Sequence, residues 1–215
     1  MSKSRVLALG VYLSQALLLG GCEAAEPVAD DPSELYVEEL VIVELEPVEA
    51  PVVLSLFDFR AEGRFKSWRT VDDRVMGGVS RSRMVPKERF ASFQGDLSLE
   101  NNGGFASVRS PQLEEILEEV DVIRLRVRGD GRIYQLSIRT DRVFDGVRYG
   151  TSFQTEEGAW MEVRLPLDDF RPTWRGRTVP GAPALLPEDI RSFGFMVTDK
   201  QEGDFRLDVE SLSAE

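Results

Sequence analysis

Several short stretches of the sequence alternate between apolar and polar residues, and this period of two constrains the fold more than any other feature. The alternation occurs in residues 54–59, 123–128, 134–139, 161–165 and 205–210. A strand with this pattern buries one face and exposes the other. Because turn-forming Gly and Asp residues separate these runs, the chain is predicted to be an all-β protein, an antiparallel β-sandwich or jelly roll.

Helical signals are few in the same region. Residues 112–120, QLEEILEEV, follow Pro111 and are predicted to form one short helix, with a single further turn after Pro187.

A long connection, residues 168–187, contains four prolines and the candidate contact residues Trp174, Arg175 and Arg177. Loops of more than about 12 residues are uncommon unless they are functional or disordered. The sequence therefore predicts a contact surface here. The alternative is that Trp174 packs over the end of the sandwich.

Residues 1–22 have the features of a bacterial lipoprotein signal peptide, in the expected order. Lys3 and Arg5 precede an apolar run, residues 6–19, that is too short to span a bilayer comfortably. Leu-Gly-Gly-Cys at 19–22 then matches a lipobox. We predict lipidation of Cys22 and localisation at a membrane of the cell envelope, on the periplasmic or extracellular face. An ordinary cleaved signal and an uncleaved anchor are the alternatives.

Residues 23–50 differ sharply in composition from the rest of the chain. They contain ten acidic residues, three prolines and no Lys or Arg. Like charges with prolines favour an extended, self-repelling tether. The apolar patch at 40–43 interrupts this pattern, and a short strand or docking segment is the alternative there. The folded domain is predicted over residues 51–215.

Composition excludes several functional classes. The chain has no histidine, which removes the usual general base and the commonest metal ligand. A single cysteine permits neither an internal disulfide nor a thiolate zinc cluster. Most of the net charge of −12 comes from the tether, and the folded region has no basic signature for nucleic acid. We therefore predict a non-enzymatic protein with no cofactor, no metal and no nucleic-acid partner.

Two glycine pairs mark the candidate binding surface. The first lies in residues 68–82, WRTVDDRVMGGVSRS, and the second in residues 101–105, NNGGF. Paired glycines allow sharp turns and close backbone approach, so the two segments are predicted to form one binding rim. The candidate binding residues on it are Trp68, Asp72, Asp73, Arg74, Met76, Gly77, Gly78, Asn101, Asn102, Gly103 and Gly104.

Each of these residues also has another interpretation. One aspartate of the Asp72-Asp73 pair could cap the following turn and pair with Arg74, or the pair could contribute to a calcium site. The asparagines could form a turn in which Asn and Gly tolerate positive φ. The tryptophans could stack on sugar rings or pack in the core.

The order of motifs along the folded region resembles the complex I intermediate-associated protein 30 family. The matching residues cover nearly all of 54–215. They are Trp68 with DDRVMGGVS at 72–80, FQG at 93–95, LENNGGFASVR at 99–109, GDG at 129–131 with Tyr134, Tyr149 before Phe153, Trp160 before LPLDDF at 165–170, RGR at 175–177, and DKQEGDF at 199–205.

This resemblance implies a galactose-binding-like jelly-roll β-sandwich. In mitochondria, proteins of the family assist assembly of the NADH:ubiquinone oxidoreductase as chaperone-like partners and not as enzymes. The present chain differs from them by its lipoprotein signal and acidic tether, so the fold carries over more directly than the process. The expectation is a lipid-anchored binding module with a protein partner. The alternative is a carbohydrate-binding module that uses the same fold.

Overall fold

The computed structural model describes residues 52–60, 68–143 and 145–215. All of them belong to the second of the two units into which the chain divides, Val48–Glu215. Cys22, the predicted tether and its apolar patch lie outside the described residues, and the predictions about them stay predictions.

Thirteen strands and four single turns of 3-10 helix form within the described ranges. The strands are β1 (Leu54–Asp58), β2 (Arg69–Thr70), β3 (Arg81–Pro86), β4 (Ala91–Leu97), β5 (Ala106–Arg109), β6 (Val122–Arg128), β7 (Ile133–Arg139), β8 (Arg148–Gln154), β9 (Trp160–Pro166), β10 (Arg171–Trp174), β11 (Arg177–Thr178), β12 (Ser192–Val197) and β13 (Gly203–Ala214). The 3-10 turns are Asp73–Met76, Glu100–Asn102, Leu167–Asp169 and Pro187–Asp189. No helix in the described ranges has the length and apolar character needed to cross a membrane.

The strands form two antiparallel sheets, as the alternating runs predict. One sheet has the order β3-β4-β13-β6-β9, with β1 pairing on β13. The other has the order β11-β10-β8-β7-β12-β5-β2. All five alternating runs are strands, namely β1, β6, β7, β9 and β13, and the predicted all-β fold is confirmed.

The core lies between the inner faces of the two sheets. β6 contributes Ile123 and Leu125, and β7 contributes Leu136 and Ile138, all almost fully buried. Their sequence neighbours point to the outer faces, as the period-two pattern requires. Burial of these apolar side chains is the main driving force that joins the sheets.

Residues 112–120 do not form the predicted helix. They run as irregular chain that buries Leu117 and Val120. Glu119 has a φ of 54°, which a right-handed helix cannot accommodate. An isolated helix this short is marginal in water, and here burial of two apolar side chains determines the path of the chain instead.

The connection 168–187 is also more ordered than a loop. It contains a hairpin in which Trp174 of β10 pairs with Arg177 of β11. The two residues between them, Arg175 and Gly176, have φ values of 48° and 76°. Positive φ at both central residues is the signature of a type I′ turn, the geometry that suits a two-residue hairpin.

Candidate functional site

The carboxylate of Asp73 joins the two glycine-containing loops. The Ser80 N–H donates to its Oδ1 at 3.0 Å, and the Ser80 hydroxyl donates to Oδ2 at 2.6 Å. From the other loop, the Gly104 N–H donates to Oδ2 at 2.8 Å. Asp73 is only 1% exposed. Hydrogen bonds to an ionised group are stronger than neutral ones, so this side chain fixes residues 73–80 and 98–105, the paired loops, to one another.

Asp72 has a similar role to that of Asp73, its neighbour in the chain. The Ser82 N–H and hydroxyl donate to its two carboxylate oxygens at 2.8 and 2.6 Å, and the Ser107 N–H donates at 3.0 Å. Burial is the largest influence on this carboxyl and raises its pKa, although the bonds from Ser82 and Ser107 act in the opposite direction. Asp72 therefore attaches the start of β3 to β5.

The glycine pairs have two different roles around Asp73. Gly77 and Gly104 have φ values of 95° and 122°, which L side chains rarely adopt. Gly78 and Gly103 instead lie against the carboxylate. A Cβ on Gly78 would stand 2.4 Å from Asp73 Cγ, and one on Gly103 would stand 2.6 Å from Oδ2. Each pair thus provides one residue for the turn and one for close approach.

The Asn101-Asn102 segment is a turn. The two asparagines have φ values of 55° and 59° and are exposed, which confirms the interpretation that Asn and Gly here tolerate positive φ. Beside them, the Leu99 N–H donates to Glu202 Oε1 at 2.9 Å. This hydrogen bond attaches the connection between β12 and β13 to the paired loops.

The outward surface of the paired loops is apolar at its centre. Val75 and Met76 are 64% and 65% exposed, and Val79 and Leu99 are 40% and 39% exposed. Sequence reasoning missed Val75, Val79 and Leu99 as candidates, although their positions next to the glycine turns were a usable signal. We call these four residues, with the exposed polar residues around them, the paired-loop surface; the polar residues are Arg74, Glu100, Asn101 and Asn102.

Four of the predicted rim residues are instead interior, and one of them is Gly78, which lies against Asp73. Trp68 is 5% exposed and stacks on Phe195 with a centroid separation of 5.4 Å. Asp72 and Asp73 are 5% and 1% exposed. Because their side chains support the loops from below, they cannot contact a partner directly. The suggested Asp–Arg74 pair is also wrong, since the carboxylates take backbone and serine donors.

The hairpin residues do not join the paired loops. Trp174, Arg175 and Arg177 belong to the β10–β11 hairpin, at the opposite edge of the seven-stranded sheet from β2. The Arg175 guanidinium lies 4.9 Å from the Trp174 ring centroid and 2.5 Å from Asp145. The hydrogen bond from Arg175 lowers the pKa of the Asp145 carboxyl. The predicted site residues therefore occupy two separate regions.

The aspartate pair does not suit a calcium ion. Calcium takes six to eight oxygen ligands, whereas the oxygens of Asp72 and Asp73 face N–H and O–H donors whose positive ends would repel a cation. Within the described ranges no group of three or more Asp, Glu, Cys or His side chains could hold a metal. The serines are likewise structural, because the hydroxyls of Ser80 and Ser82 donate to these carboxylates.

Solved structures with this fold are found at low sequence identity. A family 11 carbohydrate-binding module of a cellulosomal cellulase of Clostridium thermocellum aligns with a TM-score of 0.56 and 18% identity, over 77% of this chain and 95% of that one. An agarase aligns with a TM-score of 0.52 and 11% identity, over 76% of this chain and 24% of the agarase. These similarities show the β-sandwich fold alone.

Sequence comparisons with known proteins identify the family, which the structural similarities alone do not. The mouse protein named complex I intermediate-associated protein 30, mitochondrial, is 28% identical over 178 residues, covering 73% of this chain and 54% of the mouse protein. The Drosophila melanogaster protein of the same name is 24% identical over 238 residues, covering 100% of this chain and 76% of the relative. The chain thus spans about half the length of the mouse relative. The profile of the family matches residues 57–209. The chain therefore belongs to the complex I intermediate-associated protein 30 family.

Proposed function

We propose that this chain is a non-enzymatic, protein-binding module of the assembly-factor type, and that the paired-loop surface contacts its partner. The observation that carries the proposal is the pairing of exposed Val75 and Met76 with a backbone fixed by the buried Asp73. Exposed apolar patches mark interaction sites on soluble proteins. A backbone that is already ordered loses less entropy on binding.

The chemistry of the surface defines the kind of partner. Its apolar centre and its polar rim of Arg74, Glu100, Asn101 and Asn102 have the layout of a protein–protein interface. The partner is a protein surface with an apolar depression and polar groups around it. Since the mouse and fly relatives are named for complex I intermediates, such intermediates are the first partners to test.

The non-enzymatic character of the module has its own support. The sequence contains no histidine, and the hydroxyls of Ser80 and Ser82 are engaged as donors to buried carboxylates. A serine nucleophile needs an adjacent base to accept its proton. Here Asp72 and Asp73 are 5% and 1% exposed and already accept several backbone bonds, so their carboxylates are not accessible to a substrate.

The test compares Met76→Glu with Ile116→Glu, a matched control whose apolar side chain is 62% exposed in a different segment. The full-length variants are expressed in the native cell and captured from its membranes, and co-purifying proteins are quantified by mass spectrometry. Loss of a central apolar contact at an interface reduces capture of the specific partner by about ten-fold or more. Equal capture by Met76→Glu and Ile116→Glu, with both variants folded, would contradict the proposed surface.

We also propose that Cys22 anchors the module to a membrane of the cell envelope, with residues 23–50 as its tether. The support is the order of basic, apolar and small residues before the cysteine. Cys22→Ser should abolish metabolic lipid labelling and move the protein from the membrane to the soluble fraction, or leave it unprocessed. Unchanged labelling and partitioning would rule the anchor out.

Carbohydrate binding is the second candidate, supported by the fold shared with the family 11 module. Stacking of a neutral sugar needs an open aromatic face. Trp68 is buried, and Trp160 packs against Phe90 and Arg128. Trp174 is 44% exposed, and the Arg175 guanidinium lies over its ring. With one partly accessible tryptophan ring among the three, these positions favour the protein partner over a neutral sugar.

A further inference from the structure

A set of arginines crosses the outer face of the seven-stranded sheet. Core residues such as Leu136 and Phe195 are fully buried on its inner face, so residues one position away point outward. Four different strands each place one arginine on the outer face: Arg69 on β2, Arg109 on β5, Arg139 on β7 and Arg148 on β8. Because each comes from a separate strand, the sequence shows no basic cluster.

Small residues form the floor between these arginines. The strand register places Gly194 opposite Arg109 on one side and Ser137 on the other, and Ser137 opposite Gly150. A Cβ on Gly194 would stand 2.8 Å from Ser137 Oγ, so only glycine fits there. Two glycines and a serine in one row place only small side chains between Arg109 and β8, with the Gln135 amide lying against Gly150.

The guanidinium groups are close enough to influence one another. Burial, followed by the positive charges of Arg139 and Arg69, lowers the pKa of Arg109 to about 10. Burial and the charge of Arg139 likewise lower the pKa of Arg148. Within the described residues neither Arg139 nor Arg148 forms an ion pair, although the charges of Asp141 and Asp145 act on Arg139 and partly oppose the lowering of its pKa by burial. Arg139 donates to the Gly146 carbonyl at 3.0 Å, and Arg148 donates to Thr173 Oγ1 at 3.2 Å and to Met196 Sδ at 2.8 Å. A partly buried group of like charges is unfavourable, and a bound anion would relieve it.

A cavity and two unpartnered oxygens accompany these charges. The cavity, about 230 Å³, is lined by Arg69, Arg109 and Arg142, with Asp141 as its acidic member. On the same face, Ser192 Oγ and Gln135 Oε1 are buried and have no hydrogen-bond partner among the described residues. Such atoms are rare in native proteins and call for a functional explanation.

We propose that this arginine face binds a linear acidic oligosaccharide, whose carboxylate or sulfate groups pair with the guanidinium groups. Guanidinium forks match planar oxyanions. The arginines on β5 and β8 are three strand spacings apart, about 14 Å, which requires several anionic groups on one extended ligand. The outward hydroxyls of Ser137, Ser152 and Thr173 suit the hydroxyl groups of a sugar chain.

Other anionic partners fit this face less well. Bases of nucleic acids stack on aromatic side chains, and the outward residues of β5, β7, β8 and β12 include none. Arg139 and Arg148 are half-buried, so a flat bilayer reaches their guanidinium groups less readily than those of exposed arginines. Acidic peptides are usually held through a sheet edge or by exposed arginine clusters, whereas this face is the middle of a sheet.

The arginine face is also distinct from the paired-loop surface. Arg109 ends β5, whereas residues 98–105 of the paired loops precede the start of that strand. The two proposals can therefore fail independently.

The test titrates the full-length protein, in detergent, with a galacturonic acid hexasaccharide, a sulfated hexasaccharide and a neutral cello-hexaose as probes, and calorimetry measures the binding. We expect saturable binding of at least one acidic probe, weaker binding at higher salt, and none of the neutral sugar. Which acidic probe binds more tightly distinguishes carboxylate from sulfate. A thermal melt of each variant checks that it is folded.

The variants Arg139→Gln and Arg148→Gln should each weaken binding about ten-fold, the loss typical for one charge-assisted hydrogen bond. Arg148→Lys, which keeps the charge but not the fork, should give an intermediate loss. Arg126→Gln is the control, since Arg126 lies on β6 of the other sheet. No binding of either acidic probe, equal binding by all four variants, or tighter binding of polyglutamate or polyphosphate would overturn the proposal.

Discussion

The paired loops and the β10–β11 hairpin are built from similar residue types that are used in opposite ways. In the paired loops, Asp73 is 1% exposed and accepts hydrogen bonds from both loops. At the hairpin, Arg175 is 61% exposed and pairs with the side chain of Asp145, which is 48% exposed and lies before β8. Both regions combine an aspartate, an arginine and a glycine turn. Only the first places the aspartate where the backbone depends on it.

The difference shows that burial determines how much a carboxylate contributes to the stability of the fold. Removing a buried acceptor leaves several N–H donors without a partner, and each has to bear its own desolvation penalty. Removing an exposed acceptor returns its partner to water, and surface ion pairs contribute little to stability. The paired loops are therefore a rigid platform, whereas the hairpin is a surface feature held by its turn geometry.

Asp73→Ala is the substitution in the paired loops that should have the largest effect on stability. The N–H groups of Ser80 and Gly104 would lose their acceptor, and we expect the free energy of unfolding to fall by about 3 kcal/mol or more. Urea denaturation monitored by tryptophan fluorescence measures it. Asp145→Ala removes the carboxylate that pairs with Arg175 of the hairpin. It is the matched control and should leave the denaturation midpoint unchanged. Similar effects of the two changes would contradict the distinction.

Glycine substitutions should give the next largest effect. Gly78→Ala brings a Cβ to 2.4 Å from Asp73 Cγ, and we expect a loss of about 2–3 kcal/mol from overpacking. Gly176→Ala in the hairpin has positive φ but no atom within 4 Å of its Cβ, so only backbone strain of about 1 kcal/mol applies. Chemical denaturation of both variants tests the ranking, which a larger loss at Gly176 would reverse.

A pH series can separate Asp72 from a salt-bridged aspartate. Burial raises the pKa of the Asp72 carboxyl in the folded protein. The stability that this carboxyl contributes is therefore fully present below the unfolded pKa of about 4. It is lost as the pH rises through the folded pKa. The stability of the wild type relative to Asp72→Asn should therefore decrease as the pH rises from about 4. Asp208 provides the contrast. Burial would raise its pKa, but bonds from Arg206 and Arg128 outweigh this and lower it, so its contribution should decrease as the pH falls. A pH-independent difference for Asp72→Asn would show that burial does not control this carboxyl.

The smallest effect is expected for Arg175→Ala. It removes an exposed ion pair and the cation over Trp174, and surface pairs of this kind contribute little. The thermal midpoint should stay within experimental error of the wild type, while the fluorescence of Trp174 changes as its ring loses a neighbour. A clear loss of stability would show that the hairpin, like the paired loops, depends on its bond to an aspartate.

The sequence was sufficient to predict most of the fold. Alternation in 123–128 and 134–139 identified strands because each has one face in the core. It failed at 112–120, where QLEEILEEV has helical spacing but Leu117 and Val120 are buried without a helix. Tertiary packing overrides propensity in a segment this short, and single-sequence reasoning cannot evaluate that packing.

The sequence located the segments of the candidate site, but it did not show which of their side chains are exposed and which are buried. The glycine pairs correctly marked the loops, yet two adjacent aspartates in a turn would ordinarily be solvated. Their burial depends on Ser80, Ser82 and Ser107 reaching them from three points along the chain. The arginine face was missed for a related reason, because its members lie far apart in sequence and meet only when the strands pair.

The position of β13 has a consequence for biosynthesis. This strand pairs with β4, β6 and β1, yet all three precede it in the chain. During translation, the earlier strands of that sheet emerge without their central partner and cannot close until residues 203–214 are made. Such non-local pairing delays folding and leaves strand edges open. Until residues 203–214 are made, the edges of β1, β4 and β6 are therefore open to non-native pairing.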